Sequence, residues 1–213
     1  MGVVRESNGP GRVCSIFTDS TAPALLVSMD TRPEDSCACG LYPLAYLLTF
    51  TCYGTRLHGD PRLSVDRYHN QSNGPFAAPN PSLLAAEEKR LKFPPYSLDP
   101  KRRRIVGDSL RWISEKHNWD LISFHVRAKH VHLVLAAGRD PERILTELKR
   151  AASRELNLTG LGQRRSRRWT RGGSKRYLWT PESVASAVGY VLNHQGEAME
   201  IYLADAKWLF KSR

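Results

Sequence analysis

Long apolar runs are missing from this 213-residue sequence. The longest stretch near its start, Ala22 to Met29, covers about eight residues against the roughly 20 that span a bilayer. Asp19 and Asp30 flank it and no small-residue cleavage pattern follows, so neither a membrane helix nor a secretory leader is expected, and the chain reads as cytoplasmic. Cysteine is scarce and poorly spaced for a metal: Cys14, Cys37, Cys39 and Cys52 include one close pair, without a second pair or a nearby histidine. That excludes a zinc ribbon and gives no disulfide framework. Acidic residues are short as well, 21 Asp plus Glu against 32 Lys plus Arg, and the formal charge of +11 points to a polyanionic partner, nucleic acid first. With 41% hydrophobic residues the chain has enough apolar material for one core, which excludes wholesale disorder. No internal repeat is present.

Residues 1–44 mix Gly, Pro, Ser, Thr and Asp without a sustained apolar period and read as a flexible lead-in to a domain over 45–213. From Ala45 the pattern changes. Tyr46 to Tyr53 is aromatic and β-forming and ends at Gly54, as a strand would. A polar, proline-rich segment from about Leu57 to Tyr96 follows, long enough to be a functional loop. Ser97-Leu98-Asp99-Pro100 then opens a helix ending near Asn118, Leu121–Val126 and His130–Leu135 form a strand hairpin, and Asp140-Pro141 starts a second helix. After a basic loop, Tyr177-Leu178-Trp179 reads as a fourth strand, and Thr180-Pro181-Glu182-Ser183 caps a helix running to about Gln195. This order predicts an α+β fold: a ferredoxin-like antiparallel sheet with helices on one face and an added C-terminal helix. Fold alone assigns no function.

His130 and His132 carry the sharpest chemical signal. On a strand, residues i and i+2 share a face, so the two imidazoles project together while Val131 turns into packing. That geometry suits two ligands of one metal ion, although an ordinary half-exposed strand could carry the same tripeptide. His125, on the neighbouring strand, could face either side, and His58, His69 and His117 have no partner at ligand spacing.

Lys129-His130-Val131-His132-Leu133-Val134-Leu135 resembles the His-hydrophobe-His signature of single-tyrosine HUH transposases, including those associated with repetitive extragenic palindromes. The resemblance runs over roughly residues 45–205. It implies a ferredoxin-like nuclease domain, a divalent cation (Mg²⁺ or Mn²⁺), a single-stranded or hairpin DNA substrate, and a helix-borne tyrosine that cuts through a 5′-phosphotyrosine link, often in a homodimer. Tyr190, in Val188-Gly189-Tyr190-Val191-Leu192-Asn193-His194-Gln195, matches that nucleophile, with Tyr177 as its rival. A phenol has a reference pKa near 10, so the site must help remove its proton while polarising the phosphate. Many relatives place Gln four residues after the tyrosine. Here that position is His194, and Gln195 comes one later. On a continuing helix the fourth residue lies about 40° round from Tyr190 and the fifth about 140°, which favours His194 as third ligand. A bulge or one-residue shift would favour Gln195.

The loop Arg164-Arg165-Ser166-Arg167-Arg168-Trp169-Thr170-Arg171-Gly172-Gly173-Ser174-Lys175-Arg176 mixes cations with an aromatic residue, suiting phosphate contacts and base stacking on single strands. Arg164, Arg165, Arg167, Arg168, Trp169, Arg171, Lys175 and Arg176 are its candidate contacts. Lys101-Arg102-Arg103-Arg104 is a weaker cluster at a helix start. Two other readings remain: a non-catalytic RNA- or DNA-binding module of the same shape, and a metal phosphoesterase using water as nucleophile.

Overall fold

The computed structural model describes residues 42–61, 78–161 and 167–205. The elements are β1 (Ala45–Thr51), α1 (Pro81–Lys89), α2 (Pro100–Lys116), β2 (Asp120–Val126), β3 (His130–Ala136), α3 (Pro141–Leu158), β4 (Ser174–Leu178), α4 (Pro181–Asn193) and β5 (Glu200–Leu203). All four helices begin in the same way. A polar residue, Asn80, Asp99, Asp140 or Thr180, accepts a bond from a first-turn amide, and proline occupies the next position. The cap satisfies one of the amides a helix start leaves open, and proline has no amide to satisfy there. At Thr180 the cap is reciprocal, because Ser183 bonds back to the Thr180 amide.

The strands form one antiparallel sheet in the order β4-β1-β3-β2-β5. Its first four strands have the ferredoxin-like arrangement that the element order predicts, and the fold is α+β. Strand alternation sends residues to opposite faces. Tyr46, Leu48, Phe50, Phe124, Val131, Leu133 and Leu135 turn to the face covered by α2 and α3, where Val106, Leu110, Ile144, Leu145 and Leu148 complete the larger core. The other face is narrower. There Ala45, Leu47, Ile122, Val134 and Leu178 pack under Val184, Ala187 and Val191 of α4. Among the described residues the added helix thus lies alone across the sheet face opposite α2 and α3.

Three features depart from the sequence reading. The proline-rich segment contains α1, a helix with no buried residue. A fifth strand, β5, pairs with β2 at the sheet edge. Helix α4 stops at Asn193, before either candidate third ligand. Among the described residues no helix is long and apolar enough to cross a membrane.

Candidate active site

His132 lies in the middle of the α4-covered face. Its register partners are Thr49 on β1 and His125 on β2, and His130 stands opposite Thr51 at the strand end. The His130 and His132 rings meet edge to face, with centroids 4.7 Å apart. The Thr49 hydroxyl lies 2.7 Å from His132 Nδ1. In the tautomer whose Nδ1–H donates to Thr49, Nε2 keeps a lone pair for a cation, the arrangement that an outer-shell hydrogen bond commonly imposes on a ligating histidine.

Both rings are held neutral. Burial pushes His130 down to about 4, assisted by the positive charges of Arg127 and Arg56. Burial, followed by the neighbouring His130, pushes His132 down to about 3. Desolvation disfavours the charged imidazolium and the nearby cations repel it. A neutral imidazole is the form that binds metal.

Helix α4 brings Tyr190 to this pair. Its ring stands edge-on to His132 at a centroid separation of 5.7 Å, and the residue remains 43% exposed, open to a substrate from outside. The rival Tyr177 lies on the other face. It is the register partner of Tyr46 and packs edge-on against that core ring at 5.4 Å.

The structure also separates the two candidates for a third ligand. His194 is the C-cap of α4, exposed, with Nδ1 3.3 Å from the Gly189 carbonyl. It is not brought to the pair. Gln195 stands nearer: its side-chain amide is among the groups that act on both His130 and His132, opposing the fall of their pKa values. Its Nε2 donates to the Tyr190 carbonyl at 3.3 Å. The 40° and 140° helical angles do not apply once the helix has ended. Gly196 then adopts φ +74, a left-handed turn that costs glycine little. Among the described residues no group of three or more His, Cys, Asp or Glu side chains could hold a metal ion. Two neutral imidazoles, with the Gln195 amide beside them, are donors that fit a divalent cation able to take both nitrogen and oxygen.

The basic residues divide sharply. Arg164 and Arg165 lie outside the described residues. Arg168 is buried, its guanidinium bonded to Asn157 Oδ1 at 2.7 Å and stacked 5.9 Å from the Tyr96 ring centre, so it ties the loop to α3. Trp169 is spent similarly: Nε1 donates to the Lys149 carbonyl and to Ser153 Oγ, and its ring meets Phe50 edge-on at 5.0 Å. Lys175 pairs with Glu142. Arg167, Arg171 and Arg176 are exposed. Arg167 and Arg171 line a cleft of about 590 Å³ together with Tyr53, Arg56 and Arg90. Thr170, also in its wall, bonds Thr51 at 2.7 Å, and Thr51 is the register partner of His130. Within the earlier helix-start cluster, Arg102 pairs with Asp99 and Arg103 bonds the Leu98 carbonyl.

The sequence leaves open which face His125 takes. It is fully buried on the α4 face, with Nδ1 3.2 Å from the Val191 carbonyl and Nε2 accepting from the Met199 amide at 3.2 Å.

No protein-family model matches the chain, and no curated protein matches it. Among solved structures it is similar to the REP-associated tyrosine transposase bound to a REP hairpin, at 8% identity and a TM-score of 0.41 over 76% of this chain and 72% of that one. It is also similar to a protein from Deinococcus radiodurans assigned as a transposase, at 16% identity and a TM-score of 0.37 over 77% of this chain and 99% of that one.

Proposed function

We propose that the chain is a divalent-metal-dependent transferase of single-stranded DNA, of the single-tyrosine HUH transposase type, with Tyr190 as nucleophile. The observation that carries this reading is the convergence on one sheet face of a half-exposed phenol, two neutral imidazoles and the Gln195 amide. His130, His132 and Gln195 would hold the cation, which when bound would withdraw charge from a non-bridging phosphate oxygen. Thr49 orients His132 for that task. Tyr190 Oη attacks the phosphorus. The phenolic proton passes to solvent, to which Tyr190 is open, the Oη–P bond forms, the P–O3′ bond breaks, and the 3′-oxygen departs as a hydroxyl after taking up a proton from solvent. The phosphodiester energy is kept in the phosphotyrosine, so rejoining is the reverse displacement by a DNA 3′-hydroxyl and needs no nucleotide cofactor.

The substrate class follows from charge. The cleft carrying Arg167 and Arg171 adjoins the imidazoles through the Thr170–Thr51 contact, so a strand held there by its phosphates would pass beside Tyr190. The REP-hairpin complex of the similar transposase makes hairpin DNA the substrate to try first.

The test is incubation of the protein with labelled single-stranded hairpin DNA and Mn²⁺ or Mg²⁺. A denaturation-resistant protein–DNA band is expected, absent in Tyr190→Phe and mapped by mass to the Tyr190 peptide. Cleavage that survives Tyr190→Phe without any adduct would assign the site to a phosphoesterase using water. Binding without cleavage, insensitive to metal, would leave a nucleic-acid-binding module.

A further inference from the structure

The phenol and the Gln195 amide both belong to one short segment, the end of α4 and the turn that leads to β5. A helix end leaves its last carbonyls without amide partners. The Tyr190 carbonyl takes the His194 amide at 3.2 Å, and the Val191 carbonyl takes His125 Nδ1. His125 lies on β2 as the register partner of His132, and on its other side of Ile201 in β5. One buried ring therefore touches the segment at Val191, directly after the phenol, and again at Met199, four residues after Gln195. Its tautomer is dictated by chemistry. The Met199 amide can only donate, so Nε2 is the acceptor, Nδ1 carries the proton, and that proton is donated to the Val191 carbonyl.

We propose that His125 is a positioning residue, a two-ended clamp that holds Tyr190 and Gln195 in register over His130 and His132. Both ring nitrogens are used in the clamp, so His125 is not itself a ligand. Arg127 supports the same segment from β2's end, donating to the Glu197 carbonyl at 2.8 Å. The inference rests on the transferase reading for its consequence, not for its geometry.

The test compares the full chain with His125→Leu, which keeps apolar bulk and removes both bonds, and with His125→Asn, whose amide keeps a donor near the Nδ1 position. In His125→Leu the single-turnover rate of adduct formation at saturating hairpin DNA and Mn²⁺ should fall about a hundredfold, the order of loss for a reacting group displaced by an ångström. DNA affinity should stay within about twofold, because the phosphate contacts lie elsewhere. Asn should recover most of the rate. Amide hydrogen exchange over residues 191–199 should quicken about tenfold in His125→Leu, the effect of one lost hydrogen bond, with β1 and β3 unchanged. Unchanged exchange in 191–199 overturns the assignment whatever the activity, as does a wild-type adduct rate in His125→Leu. A wild-type chain that forms no adduct counts against the transferase reading alone, and the exchange result then decides on His125. If His125→Leu does not fold, Asn and Gln variants, which retain the Val191 and the Met199 bond respectively, replace it. A faster adduct with Asn than with Gln supports the clamp on Tyr190, and equal rates overturn it.

Discussion

His132 differs from an ordinary strand histidine because one ring nitrogen is already bonded to Thr49, 2.7 Å away, and its ring meets that of Tyr190 edge-on at 5.7 Å. Removing that support in Thr49→Val should weaken Mn²⁺ binding by about 10- to 100-fold, the usual cost of losing an outer-shell partner, measured by titration calorimetry. Gln195→Ala should weaken it comparably, whereas His194→Ala should leave it unchanged, since His194 faces the Gly189 carbonyl and solvent. Depressed imidazole pKa values also make stability depend on pH. The unfolded chain takes protons on these rings near pH 6.5, while the folded chain accepts them only near 4 at His130 and 3 at His132. Stability is therefore fully present above pH 6.5 and is lost as pH falls through the window below it. In metal-free buffer the thermal midpoint should drop between pH 6.5 and 4, and a His130→Gln, His132→Gln double variant should show a flatter curve.

At the scale of elements, α4 decides whether the site exists. Its stripe of Val184, Ala187 and Val191 seats it on the sheet, and the Thr180–Ser183 capping box fixes where it starts. Thr180→Ala should cost about 1 kcal/mol in denaturant unfolding, the typical price of a helix cap. Strand β4 approaches β1 at Gly173, where a methyl group would stand 2.7 Å from the Thr49 carbonyl oxygen. Backbone cannot yield as a flexible side chain does. Gly173→Ala should destabilise the fold by about 1–3 kcal/mol and reduce adduct formation further than stability alone explains, because the strand it displaces carries Thr49.

For the whole molecule, the excess positive charge is divided between structural and available cations. Arg168, Lys175 and Lys149 are engaged in holding the loop before β4, Lys149 through the Thr170 and Gly172 carbonyls. Arg167 and Arg171 stand exposed beside the cleft. An Arg167→Gln, Arg171→Gln double variant should weaken DNA binding and lower the slope of log affinity against log salt by about 1.4, the counterion release of two single-strand phosphate contacts. Arg168→Ala should instead destabilise the protein by about 1–3 kcal/mol, by stripping Asn157 of its buried partner, and leave the salt slope unchanged. Two apolar sheet faces frame the molecule: α2 and α3 build the larger core on one, and among the described residues His130, His132 and Tyr190 share the other with α4.

The sequence by itself determined whatever depends on local periodicity and capping. Polar-Pro pairs at Asp99, Asp140 and Thr180 marked helix starts, alternation placed His130 and His132 on one side of a strand, and the element order specified the sheet. Helix α1 was not read in advance: its exposed, polar surface gave no apolar period, although Asn80-Pro81 is the same cap pattern. Only the tertiary structure decided between groups that local pattern leaves equal. Tyr177 and Tyr190 both neighbour plausible chemistry in sequence, and strand register sends one to the far face. His194 and Gln195 part company because α4 ends at Asn193, where helical angles stop applying: His194 turns to the Gly189 carbonyl and Gln195 to the Tyr190 carbonyl. Arg167 and Arg168 are adjacent cations, yet one is solvated and one buried, because Asn157 and Tyr96 arrive from distant parts of the chain to receive the second. The physical reason is common to all three. Direction along a strand or helix is set by neighbouring bonds, whereas which side chain reaches which partner is set by packing between segments that the sequence keeps far apart.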